Sequence, residues 1–187
     1  MPKSFQQKLK ILYLMRVFAE KTDEAHPMSV KDLIAYLENF GIHAERKTIY
    51  DDIETLRVFG MDIMNRRERP SGFYLASREF EVAELKLLVD AVQSSRFLTT
   101  GKSRQLIQKL ESLTSIYQAK DLQRQVIVQN RVKNTNENIY YNIDEIHRAI
   151  SQNRQISFQY TEWTVSKERQ LKKGGARYQI SPWQMIW

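Results

Sequence analysis

Apolar residues recur at helical spacing through the first part of the chain. Between Lys3 and Glu20 they fall on more than one face (Phe5, Leu9, Ile11, Leu12, Leu14, Met15, Val17, Phe18), which predicts a helix largely surrounded by protein. After the break "TDEAHP", Ser29 and Asp32 stand at capping-box spacing, although that box prefers Glu or Gln at its far position. Val30, Leu33, Ile34, Leu37 and Phe40 then mark a second helix that stops at Gly41. A third helix is predicted beyond "GIH", with Ile49, Ile53 and Leu56 within about 60° of one another on its wheel. On the same wheel Arg46, Lys47, Tyr50, Asp51, Glu54 and Arg57 occupy an adjoining polar arc, expected to be free to meet a partner.

The pattern then changes period. Ile63-Met64 and Phe73-Tyr74-Leu75 are short apolar runs around a loop with Arg66, Arg67, Arg69, Pro70 and Gly72, which predicts a hairpin with a basic tip. Ser77 is the expected cap of a fourth helix with core positions Phe80, Leu85, Leu88, Val89 and Val92. "TTG" interrupts, and Leu106, Ile107, Leu110 and Leu113 mark a fifth. "RQVIVQNRVK" suits a strand, and the polar "NTNEN" reads as a boundary. Beyond it, Asn142 and Glu145 are expected to cap a short helix carrying Ile143, Ile146 and Ile150. "QISFQYTEW" alternates as a half-buried strand would, and "LKKGGARYQISPWQMIW" adds a turn and another strand. The expected fold class is α+β, mainly α, in three parts: 1-76, 77-138 and 139-187, the last with too few strands to close a core.

Composition narrows the function classes. The chain has no cysteine, hence neither disulfides nor a thiolate nucleophile, which fits a reducing, cytoplasmic setting. No apolar run approaches a membrane span, and "MPKSFQQKLKILYLM" lacks a small-residue cleavage site, so no membrane partner is expected and the N-terminus is read as retained. His26, His43 and His147 are scattered without ligand spacing, and the six glycines form neither a Walker nor a dinucleotide pattern. No enzyme activity, metal or cofactor is expected. The formal charge of +7 suits a polyanionic partner, yet residues 1-76 hold twelve Lys and Arg against eleven Asp and Glu. Nucleic-acid binding by this part must rest on where a few cations lie.

Three helices with a tight turn between the second and third, followed by a hairpin, is the order of a winged helix-turn-helix, whose third helix enters the major groove of DNA. Arg46, Lys47, Thr48 and Tyr50 fall in the first turn or so of that helix. Arg46 suits a guanine edge, Lys47 a phosphate, and Tyr50 a phosphate or the sugar-phosphate edge. Arg57 is within reach of Glu54, and Arg66, Arg67 and Arg69 stand where a wing meets the minor groove or backbone. The same charge pattern suits a solvated amphipathic helix, and the same scaffold suits a protein-interaction or dimerisation module.

"RKTIYDDIETLRVFGMDI" followed by "SGFYLASREF" resembles the DNA-binding end of bacterial WYL-domain transcriptional regulators, with their deoxyribose-operon-repressor-type helix-turn-helix. "FEVAELKLLVDAVQSSRFLTTGKSRQLIQKLESL" is similar to their helical connector, and "IDEIHRAISQNRQISFQY" with "GARYQISPWQMIW" to the opening of their WYL domain. The resemblance implies a sequence-specific transcription factor, commonly a homodimer, that binds double-stranded DNA and senses a ligand, such as a nucleotide or nucleic acid, through a small Sm-like or SH3-like β-barrel. The tripeptide that names the domain would follow Trp187, so the sensing half is expected to be incomplete. Tyr160, Arg169, Arg177 and Tyr178 are the ligand-binding candidates that remain, with core or surface roles as the competing reading.

Overall fold

A computed structural model of the chain describes residues 5–124, 136 and 138–186. It is α+β and mainly α. In chain order the elements are α1 (Phe5–Lys21), α2 (Val30–Glu38), α3 (Arg46–Phe59), β1 (Ile63–Arg66), β2 (Gly72–Leu75), α4 (Val82–Ser94), α5 (Thr100–Glu111) and α6 (Ile116–Arg124). They continue with α7 (Ile139–Ser151), β3 (Ile156–Gln159), β4 (Thr161–Trp163), β5 (Arg169–Leu171) and β6 (Arg177–Ile180). The chain divides into two units, Met1–Arg96 with Thr100–Val132 and Phe97–Thr99 with Lys133–Trp187. Among the described residues no helix is long and apolar enough to cross a membrane.

The first unit is organised around one apolar cluster that joins Leu14, Val17 and Phe18 of α1, Leu33 and Leu37 of α2, Ile49, Ile53 and Leu56 of α3, and Ile63, Phe73 and Leu75 of the hairpin. The spread of apolar residues over more than one face of the first helix overstated its burial: Lys8, Leu12, Arg16 and Ala19, a stripe at helical spacing, stay exposed. Ser29 and Asp32 do form a capping box. The Asp32 N–H donates to Ser29 Oγ at 3.2 Å and the Ser29 N–H to Asp32 Oδ2 at 3.0 Å, so the shorter acid suffices. α2 ends at Glu38. Gly41, at φ +70°, then reverses the chain so that the N–H of Ile42 reaches the Leu37 carbonyl at 3.1 Å and Ile42 packs into the core.

β1 and β2 pair antiparallel, Ile63 opposite Leu75 and Arg66 opposite Gly72, so Arg66 and Gly72 belong to the strands and the basic loop is confined to residues 67–71. Met28 and Phe73 exchange backbone hydrogen bonds at 2.9 and 2.8 Å, stitching the chain before α2 to β2. A Cβ on Gly72 would lie 2.4 Å from the Met28 carbonyl oxygen, so only glycine permits this approach.

Several predicted boundaries moved. Glu81 caps α4, in a box with Glu84, and Ser77 instead donates to Asp62 Oδ2 at 2.6 Å. α5 begins at Thr100, inside the "TTG" read as an interruption, and ends before Leu113, which is exposed. α6 was not foreseen. The strand expected at "RQVIVQNRVK" lies outside the described residues apart from Arg124, the last residue of α6. In the second unit α7 begins at Ile139 with Asn138 before it, which leaves Asn142 within the helix. Ile156 and Phe158 alternate with exposed Ser157 and Gln159 as predicted, but the strand breaks at Tyr160. β3 pairs with β6 and β4 with β5, both antiparallel.

Candidate nucleic-acid interface

One face of α2 along its length, from Val30 and Lys31 to Glu38, the first two turns of α3 and the hairpin border an open cleft of about 810 Å³. Four cationic side chains line it, Lys31, Arg46, Arg66 and Arg67, against the single acid Glu38. The N–H groups of Val30 and Lys31 at the start of α2 have no acceptor within the helix, and helix N-termini favour anions. The near-neutral average of residues 1-76 conceals this concentration because many of the acids are occupied elsewhere. Asp32 is in the α2 cap, Asp62 takes the Ser77 hydroxyl, and Glu54 pairs with Arg57. Asp52 Oδ2 lies 2.7 Å from Lys10 Nζ, a largely buried ion pair.

The predicted residues separate into groups. Arg46 Nη2 donates to Tyr50 Oη at 3.3 Å, with its guanidinium carbon 5.9 Å from the ring centre, and Tyr50 meets Phe73 edge to face. Arg46, Tyr50, Arg66 and Arg67 therefore share the cleft. Lys47 is exposed and points away from it, nearly opposite the buried stripe of α3. Arg69 lies in the exposed loop but does not line the cleft. Thr48 turns back to donate to the Glu45 carbonyl at 2.8 Å. Arg57 is a strut: its Nε donates to the Ile63 carbonyl at 2.8 Å, it pairs with Glu54 and it covers Phe73. The arc expected to be free thus leans on the hairpin along one edge.

Sequence reasoning missed Lys31. Its signal was a cation in the first turn of a helix, where the dipole disfavours positive charge and some other partner is wanted. It also missed a clamp beneath the hairpin. Arg66 Nη1 donates to the Glu24 carbonyl at 2.7 Å, and Asp23 accepts from the backbone N–H groups of Ala25 and His26, from the His26 ring and from the Ser115 hydroxyl at the start of α6. Burial pushes the Asp23 carboxyl up, but the hydrogen bonds from Ser115 and His26 outweigh it and hold the group below its usual range. His26 also stacks on Tyr117 at 3.7 Å. The Arg78 guanidinium, whose pKa burial lowers against the opposing pull of Asp23, bonds the carbonyls of Ala19, Thr22 and Leu75.

In the second unit Tyr178 stacks on Phe158 at 5.9 Å and meets Tyr160 edge-on at 6.3 Å, with Lys172 over Tyr160 and Lys173 over Tyr178. Arg177 is turned to Ser157, donating to its hydroxyl at 2.9 Å, and Arg169 covers Trp163 on the other strand pair. The four ligand candidates therefore do not converge; only the two tyrosines do. Among the described residues no cluster of His, Cys, Asp and Glu has metal-ligand geometry. No protein-family model, curated protein or solved structure matches the chain.

Proposed function

We propose that the chain is a sequence-specific double-stranded DNA-binding transcription regulator, with a winged helix-turn-helix in its first unit and a WYL-type ligand-sensing element in its second. The observation that carries this reading is the convergence of Lys31, Arg46, Arg66 and Arg67 with Tyr50 on one cleft beside the exposed face of α3. A phosphate run fits between the first turn of α2 and the hairpin, α3 then lies along the major groove, and Arg67 and Arg69 reach the backbone or the minor groove. The geometry favours exchanging two roles expected from sequence. Arg46, drawn toward the cleft by Tyr50, suits a phosphate, and the outermost Lys47 suits a guanine edge.

One short helix reads few base pairs, so a homodimer on two half-sites belongs to the proposal. In the second unit, two tyrosine rings flanked by Lys172 and Lys173 suit stacking and charge pairing with a nucleotide effector. The resemblance to bacterial regulators, together with DNA as partner, makes the bacterial cytoplasm the proposed location.

Titration of a labelled duplex at two salt concentrations tests the reading. Neutralising about four phosphates weakens binding roughly a hundredfold between 50 and 200 mM salt. Lys47→Ala is expected to relax sequence preference, whereas Arg46→Ala weakens all duplexes alike and lowers the salt slope by about one. Val58 and Phe59, 89% and 75% exposed at the end of α3, favour a second reading as a protein-assembly module. Association through that surface would be nearly indifferent to salt.

A further inference from the structure

On the outward face of α3, one carboxylate is unaccounted for. Asp52 is paired with Lys10 and Glu54 with Arg57, but among the described residues the Asp51 carboxylate takes part in no ion pair or hydrogen bond. The residue is exposed, and its direction from the helix axis is within about 30° of the point opposite Ile49, Ile53 and Leu56. Lys47 shares that stripe one turn earlier, at i,i+4 from Asp51, and among the described residues it too takes part in no ion pair or hydrogen bond, so the part of α3 furthest from the core presents an exposed ammonium beside an exposed carboxylate.

We infer that Asp51 is a specificity-determining residue of the proposed DNA interface, accepting a hydrogen bond from the exocyclic amino group of a cytosine in the major groove. The inference rests on the DNA reading and deepens it. A free carboxylate in the outermost position is repelled by phosphates, so it disfavours any docking in which it faces the backbone. At the base edges the only donors in the major groove are the amino groups of cytosine and adenine. Adenine places the acceptor N7 beside its amino group, where it repels the second carboxylate oxygen; cytosine places C5–H there. The acid thus selects by attraction at one base and by repulsion at the others, and it lowers affinity for non-specific duplex.

The test is selection of binding sites by the full chain from a randomised duplex pool, repeated with Asp51→Ala and Asp51→Asn after circular dichroism shows both variants folded. The wild type is expected to enrich a cytosine at one position of each half-site, with about a tenfold loss of affinity when that base is changed. Asp51→Ala should lose the preference at that position alone and bind random duplex at least as tightly. Asp51→Asn should turn the preference toward adenine, whose N6 and N7 match an amide, an outcome that a merely structural residue would not produce and that stands if the alanine variant fails to fold. Identical base preferences in the wild type and in the folded variants overturn the inference while leaving the DNA reading intact. Enrichment of no duplex by the wild type removes the DNA reading and this inference with it.

Discussion

The segment 22–28 and the strands of the second unit are both chain outside helices, yet they are held by different means. Thr22 is fully buried, donating to the Phe18 carbonyl at 2.8 Å and accepting from the Leu75 N–H at 3.0 Å. Asp23 is saturated by four donors, one of them 92 residues away in sequence. In the second unit Ala149 is the single buried apolar residue among those described at 138–186, and beside the half-buried Phe158–Tyr178 stack the side-chain contacts are mostly ion pairs, cation–π pairs and hydrogen bonds at the surface, such as Arg148 with Asp144 and Glu145. Exposed pairs of this kind contribute about 0–1 kcal/mol each, whereas breaking a buried hydrogen-bonded network costs more. The buried bonds at Thr22 and Asp23 hold the segment beneath the hairpin, and Arg66 is tied to that segment through the Glu24 carbonyl.

Three experiments would break or sharpen this contrast. The largest effect is expected from Gly72→Ala, which puts a methyl group into the Met28 carbonyl at a positive φ; the seam between the α2 approach and β2 must open, at a cost of about 3 kcal/mol or more in urea unfolding. A neutral result would mean that the loop is not clamped. Next, Asp23→Ala strands Ser115, His26 and two N–H groups and should cost roughly 2 kcal/mol. Because the folded carboxyl is depressed, its contribution is present above the unfolded pKa and is lost as pH falls through the folded value. Asp23→Asn should therefore flatten the decline in melting temperature below about pH 4. An unaltered acid limb would exclude Asp23 as its source.

The smallest effect is expected from Tyr178→Ala, below about 1 kcal/mol. Amide hydrogen exchange in urea, read peptide by peptide, follows β3 to β6 apart from α1 to α6. The second unit should lose protection first, and Tyr178→Ala should shift its midpoint alone. Coincident midpoints would show the weakly buried unit to be as firmly held as the first.

Much of the helical framework was legible in the chain itself. The periodicity of Leu33 and Leu37 and of Ile49, Ile53 and Leu56, the Ser29–Asp32 box, the turn at Gly41 and the hairpin pairing are local matters, decided by residues within a turn or a strand of one another. The cationic first turn of α3 was legible on the same grounds. Nothing local distinguished Arg57 as a strut from Arg46 in the cleft or indicated that Ser115 would close over Asp23, and the place of Lys31 in a first turn, though legible, did not say which cleft it would line. Periodicity determines which face of an element is apolar. Which polar atoms meet is decided only when those faces pack, because a hydrogen bond acts over about 3 Å and its partners come from elements far apart in the chain.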